Sequence, residues 1–296
     1  MKPEIQLHWW HADKERENFG DYYSKILAES LGYSVRALVS AKGKEAEGTS
    51  CYCLAGSVIT PSNLHFARDR GVRLKFYGCG IHYIWDLAEG DLLDTSTFYS
   101  FRGPETARNI PKPSLALGDS LLLIPHLFPE YVGLKKTRSC LFVNHYWTQS
   151  SIMSHPDVPS DTKEVSTVLE GTRKREHWFA LLRDIATSRF VITQSLHAAV
   201  VAQSLGIPWA PCSTGTLKGK LDSPTKWQDW FGYLGLPQSL SSIPLAGSLP
   251  LSGCRTWWEE REEKLRGKQP STAPLVGALP LPVLKYSVQR RLNAAD

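Results

Sequence analysis

The stretch from Phe190 to Pro211 constrains the fold most. Phe190-Val191-Ile192-Thr193 is a short apolar, β-branched run, the mark of a buried parallel strand. Leu196, Val200, Gln203 and Ser204 then recur at helical spacing, and Gly206 followed by Pro208 ends the helix. Pro208-Trp209-Ala210-Pro211 reads as the next strand. Strand, tight turn, helix and strand in this order describe an open parallel sheet. In such sheets ligands bind beyond the carboxyl ends of the strands, against helix N-termini. Ser195 and His197 occupy that turn. A helix N-terminus attracts an anion, and an imidazole there exchanges a proton near neutral pH. The plainer alternative is a histidine that only caps its helix.

The rest of the chain repeats the alternation. Ile5 to Trp10 is a first strand, followed by a polar loop ending in Asn18-Phe19-Gly20-Asp21. Asp21 is a good N-cap, and Tyr22, Ile26, Leu27 and Leu31 give the next helix an apolar face. Further strands are expected at Val35–Val39, Cys51–Ala55, Leu74–Tyr77, Thr97–Phe101 and Leu115–Leu117. Arg102 precedes Gly103-Pro104, and proline suits a first helical turn, so Arg102 sits where a strand gives way to a helix. Ser139–Val143 and Val165–Leu169 read as strands, with a long polar loop from Thr148 to Asp161 between them. His177–Ala186 reads as a helix with Phe179, Leu181, Leu182 and Ile185 inward. Lys226 opens a short aromatic helix, and Trp257–Arg266 reads as one amphipathic helix.

This pattern predicts an α/β protein of two Rossmann-like, doubly wound domains facing a cleft. The alternation pauses near Pro129–Lys136, which sets the expected domains at residues 1–133 and 134–254. A helix and Pro-rich tail, 255–296, is expected to pack on the first domain. A weak membrane-surface contact by its Leu/Val and Lys/Arg residues is the alternative. The six cysteines form no Cys-x-x-Cys pair, so no metal site is expected, and they suit a reducing compartment. No signal peptide and no membrane span is read, which points to the cytoplasm or the inner face of its membrane. Net charge is 34 − 29 = +5, too mild for a nucleic-acid partner but suited to small anions.

Several strand-end turns offer groups for one site: Asn18, Asp21, Arg102, Asp119, His145, Ser195, His197, and Lys226 or Lys218. Arginine offers a bidentate fork to carboxylate or phosphate. The set is rich in anion-holding groups and has one proton shuttle. The Gly78-Cys79-Gly80 turn lacks the third glycine of a dinucleotide fingerprint, and no P-loop or Gly-x-Ser-x-Gly elbow is present. Each residue also has a structural reading: Arg102 in a strand-end ion pair, Lys226 on the surface, Asn18 and Asp21 as caps, His145 holding a loop.

The chain resembles the polysaccharide pyruvyl transferases, in particular the bacterial exopolysaccharide ketal pyruvyltransferase branch. The resemblance rests on an ordered set of motifs: Asn18-Phe19-Gly20-Asp21, Gly56-Ser57-Val58-Ile59, Gly78-Cys79-Gly80-Ile81, Arg102-Gly103-Pro104-Glu105-Thr106 and Leu117-Gly118-Asp119. Ser195-Leu196-His197-Ala198, Gly206-Ile207-Pro208 and Lys226-Trp227-Gln228-Asp229-Trp230 continue it. It ends near Leu234, and Asp119-Ser120 departs from the family's usual Asp-Pro. The resemblance implies a GT-B-like arrangement and transfer of the pyruvyl group of phosphoenolpyruvate onto two hydroxyls of one sugar, free or lipid-linked. The logic of that reaction requires no metal, and no cofactor is expected beside the donor. Arg102, Ser195, Leu196, His197 and Lys226 or Lys218 would hold the donor. Asn18, Asp21 and His145 fall to the acceptor, and His197, with Arg102, to the chemistry. Two other classes stay open: a GT-B-like glycosyltransferase using a sugar nucleotide, and a non-catalytic glycan-binding protein.

Overall fold

The computed structural model describes residues 2–9, 15–37, 48–84, 90–145, 158–212, 224–236, 251–267 and 271–294. In chain order, β1 (Glu4–Leu7), β2 (Arg16–Asn18), α1 (Phe19–Leu31), β3 (Ser34–Ala37), β4 (Ser50–Cys53), α2 (Pro61–Asp69), β5 (Arg73–Phe76), β6 (Ser96–Phe98) and β7 (Ser100–Phe101) come first. They are followed by α3 (Pro104–Asn109), β8 (Ala116–Leu117), α4 (Ile124–Leu127), β9 (Leu141–Asn144), β10 (Lys163–Ser166), β11 (Val168–Glu170), α5 (Lys174–Ala186) and β12 (Val191–Thr193). The chain ends with α6 (Leu196–Ser204), β13 (Trp209–Pro211), α7 (Pro224–Leu234), α8 (Leu251–Glu259), α9 (Glu262–Gly267), α10 (Ala273–Gly277) and α11 (Tyr286–Asn293).

Two compact units divide these elements: residues 1–10, 21–127 and 271–296 form one, and residues 11–20 and 128–270 the other. The change of unit at Leu127/Phe128 precedes the pause in the sequence pattern. The expected tail is shared, with residues 255–270 in the second unit and 271–296 in the first.

The first unit is built on a five-stranded parallel sheet, ordered β3-β1-β4-β5-β6, with β7 and β8 paired separately. Parallel strands require crossovers, and α2 supplies one. Thr60 caps it by accepting the Asn63 N–H, and Pro61 occupies its first turn. Cys51, Cys53, Leu64, Leu74, Phe76 and Ile81 form a dry core with Phe98 and Phe101. Residues 271–294 pack on this unit. Tyr77 donates its hydroxyl hydrogen to Leu275 O, Tyr33 to Pro282 O, and the Leu284 N–H bonds Leu31 O.

The second unit carries a four-stranded parallel sheet, ordered β10-β9-β12-β13. β12 runs in register with both β9 and β13, and every residue of β9, β12 and β13 is buried. The segment read as strand, turn, helix and strand is β12-α6-β13, within one residue of the expected bounds.

Several local expectations are corrected. Residues 16–18, read as loop, form β2, which pairs antiparallel with β11. Thr97–Phe101 is two strands, because Tyr99 N still bonds Phe76 O while Tyr99 O turns to accept from Leu115 N. Val165–Leu169 breaks at Thr167, which leaves the parallel sheet so that β11 can reach β2. Trp257–Arg266 is two helices: Arg261 N bonds Trp258 O in a tight turn, and the Arg261 guanidinium bonds Trp257 O and lies 4.7 Å over its ring. Asp21 is not an N-cap. The helix starts at Phe19, so Asp21 sits in the first turn, and Asn18 Oδ1 takes the Gly20 N–H at 2.9 Å. In α5, Phe179 is half-buried, and Trp178 is fully buried together with Leu182 and Ile185.

Candidate functional site

At the carboxyl ends of the second unit's strands, Thr193 builds the turn into α6. Its Oγ1 accepts the Ser195 N–H at 2.9 Å and donates toward Ser195 O at 3.1 Å. Ser195 takes the N-cap position with extended backbone (φ −92°, ψ 120°), and its hydroxyl makes no capping bond. The first N–H groups of α6 therefore have no side-chain cap, which keeps the partial positive charge of the helix end in place. His197 lies in this first turn, 7% exposed.

The imidazole is held from the opposite side by Gly20. A Cβ placed on Gly20 would lie 1.7 Å from His197 Nδ1 and 2.1 Å from Cγ. No side chain fits there, so the glycine backbone and the ring are in direct contact. The approach is fixed by residues distant in sequence. Phe19 donates its N–H to Thr167 O at 2.9 Å. Trp178 donates its indole N–H to Phe19 O at 3.0 Å and stacks on the Phe19 ring, centroids 5.2 Å apart. His145 follows β9, and its N–H is taken by Gln194 Oε1 at 3.1 Å. Asn144 O accepts from Thr167 N, which ties the end of β9 to the same backbone. Asn18, Gly20, His145, Gln194, Ser195, Leu196 and His197 thus gather at one end of this unit.

Lys226 belongs to the second unit too, on α7, where its neighbour Trp227 is buried among Trp209 and Phe231. Lys218 lies outside the described residues.

The first unit has its own buried polar cluster. Arg102 has no exposed surface. Nη1 donates to Ser57 Oγ at 2.7 Å and Nη2 to Ile81 O at 3.0 Å. The guanidinium lies on Gly80, where a Cβ would come within 2.4 Å of Cζ. Asp21 is 8% exposed and lies against Gly56, whose φ of +95° and close approach to Asp21 Oδ1 both demand glycine. Asp119 caps a 3-10 turn by accepting the Leu121 N–H at 3.0 Å. Burial pushes the Cys79 thiol up, and the charges of Asp119, Arg102 and Asp21 all reach it, which places the three in one neighbourhood. Ser120, where the resemblance expects proline, donates its hydroxyl hydrogen to Leu54 O, a bond proline could not make. Gly78, in turn, has φ +64°, with Ser120 N 2.5 Å from its ideal Cβ.

Gly20, Ser57, Thr167, Trp178 and Gln194 were not singled out from the sequence. Gly20 carried the clearest signal, standing inside a motif at the start of a helix. Among the described residues no group of three or more His, Cys, Asp or Glu is placed to hold a metal ion, and no helix is long and apolar enough to cross a membrane.

No family model matches the chain. It is 26% identical over 168 residues to the succinoglycan biosynthesis protein ExoV of Rhizobium meliloti (strain 1021). That alignment covers 56% of this chain and 50% of the relative, so the two correspond over about half their lengths. A solved structure of an uncharacterized Klebsiella pneumoniae protein superposes with TM-score 0.45 at 12% identity, covering 75% of this chain and 86% of that one. A Listeria monocytogenes structure assigned as a UDP-N-acetylglucosamine 2-epimerase gives TM-score 0.41 at 10% identity, covering 99% and 96%.

Proposed function

We propose that the chain is a phosphoenolpyruvate-dependent ketal pyruvyltransferase of exopolysaccharide synthesis, acting in the cytoplasm on a hexose of a repeat unit. The observation that carries the reading is His197, held by Gly20 in the open first turn of α6 at the strand carboxyl ends. The likeness to a succinoglycan biosynthesis protein supports the pathway class.

The chemistry asks little of a protein beyond what stands here. Phosphoenolpyruvate carries a carboxylate and a phosphate on three carbons. The α6 N–H groups, the Ser195 hydroxyl and Lys226 are suited to such an anion. A proton from His197 to the methylene carbon makes a methyl group and an oxocarbenium-like centre. One sugar hydroxyl adds to that carbon and returns its proton to the imidazole. The second hydroxyl displaces phosphate, which leaves with the second proton. Two C–O bonds form, one breaks, and no oxidant or reductant is needed.

Arg102 carries a different weight. Its guanidinium is fully enclosed within the first unit. Its bonds to Ser57 and Ile81 make it first a positioning residue for the strand-end loops.

The test is phosphate release from phosphoenolpyruvate in the presence of an acceptor saccharide, beside a thermal-shift titration with phosphoenolpyruvate, UDP-sugars and GDP-sugars. Turnover lost in His197→Ala with the fold intact is expected. A melting shift with a nucleotide sugar alone would assign the site to a glycosyltransferase. Sugar binding indifferent to His197 would make it a glycan-binding module.

A further inference from the structure

The second unit has a second concavity, at the amino ends of its strands and so at the opposite edge of the sheet from His197. It is an open cavity of about 330 Å³, formed where the chain enters β9, β12 and β13 and bordered by α8 and α9. Three arginines line it. Arg266 is neutralised by Glu262 through its Nε. Arg189 and Arg255 are exposed, and neither guanidinium makes a hydrogen bond or ion pair with a described residue. Positive charge accumulates on this rim. Lys136, whose ammonium donates among the described residues to the neutral Ala186 O, has its pKa lowered by burial and by the Arg189 charge. The Arg255 charge reaches Cys140 at the start of β9. The lining sets three arginines against two glutamates, and guanidiniums without an ion pair favour an arriving anion.

The lining says more about that anion. Phe190 and Trp258 are each 7% exposed and contribute ring surface to the cavity. Glu259 lies on α8 one turn beyond Arg255 and also faces the cavity, without an ion pair among the described residues. An inorganic ion would use the arginines and nothing else. A guanidinium pair for an oxyanion, ring surface for a C–H face, and a carboxylate that accepts from hydroxyls together match one class. The geometry points to a saccharide site here: the cavity between Arg189, Arg255 and Trp258 binds a sugar ring bearing a carboxylate or a phosphate. This site is independent of the reaction assigned to His197 and would hold an acidic residue of the polymer or of its precursor.

Isothermal titration of the full chain with glucuronate, glucose 1-phosphate, glucose and inorganic phosphate tests it. Glucuronate or glucose 1-phosphate is expected to bind more tightly than inorganic phosphate, with no heat from glucose. The Arg189→Ala/Arg255→Ala double variant loses at least about tenfold in affinity, one charge-assisted bond's worth. Both arginines are exposed, so the fold survives, which circular dichroism checks. Glu259→Gln weakens the sugar anions and leaves inorganic phosphate unchanged. His197→Ala leaves all of these affinities as they were, which separates this site from the donor site. Affinity unchanged in the double variant, inorganic phosphate binding as tightly as the sugars, or no binding of either sugar anion at millimolar concentration would each overturn the proposal.

Discussion

Gly20 has the least latitude of any residue at the site. Its backbone lies directly against the His197 ring, and an added methyl would overlap three ring atoms. Gly20→Ala must push the imidazole out of its place, because Phe19 on the other side is fixed by Trp178 and Thr167. Overpacking of this kind costs about 1–3 kcal/mol. A displacement near 1 Å lowers turnover by about a hundredfold, because proton transfer depends on placement. Phosphate release should fall by that amount while far-ultraviolet circular dichroism stays native. Retained turnover in Gly20→Ala would remove His197 from the chemistry. Arg102 behaves differently. Arg102→Met should cost about 3–5 kcal/mol in urea unfolding, since it takes a buried cation from the neighbourhood of Asp21 and Asp119 and leaves Ser57 Oγ and Ile81 O without their donor. If stability stays near the wild-type value and only the KM for phosphoenolpyruvate rises, Arg102 contacts the donor directly.

Among the elements, the C-terminal segment 271–294 should be attached in a pH-dependent way. Thr272 Oγ1 lies 2.8 Å from His126 Nε2, and Arg291 donates through Nε to His126 O at 2.7 Å. Burial lowers the His126 pKa below its ordinary value. The unfolded chain therefore binds this proton more readily than the folded one. The contribution is intact above the unfolded value of about 6.5, and it is lost as pH falls through the lowered folded value. Hydrogen exchange in residues 271–294 should accelerate across that acidic window, and His126→Gln should flatten the response. Sequence pattern revealed elements unevenly, for a physical reason. β12-α6-β13 was legible because its strands are buried on both faces and its helix ends on Gly206 and Pro208. β2 was not: Arg16-Glu17-Asn18 shows no apolar periodicity, and the strand forms through backbone bonds to β11, far along the chain. The site followed the same division. Turns that follow strands could be placed from local spacing, whereas Gly20 and Trp178 act through a long-range approach that local spacing does not encode.

For the molecule as a whole, the cysteines report where the structure opens. All six are free and buried, three in each unit: Cys51, Cys53 and Cys79 in the first, Cys140, Cys212 and Cys254 in the second. Burial raises each thiol, with Cys51, Cys140 and Cys254 pushed up to about 12. The thiolate is the reactive form, so the native protein should resist alkylation at neutral pH. Labelling then requires local or global unfolding. Trp178 is the place to provoke it, being fully buried against Phe19, Phe128 and Phe179 within the second unit. Trp178→Ala costs about 3–5 kcal/mol, a large part of the roughly 5–15 kcal/mol that stabilises a typical protein. The open population rises by about two orders of magnitude or more. Mass spectrometry after timed alkylation should show Cys140, Cys212 and Cys254 modified that much faster in the variant, with Cys51, Cys53 and Cys79 lagging. An equal rise at all six would show that both units open in a single step. Wild-type labelling rates in the variant would mean that Phe19 is held without the indole, and that the placement of Gly20 against His197 rests on the β2–β11 pairing and the Phe19–Thr167 bond alone.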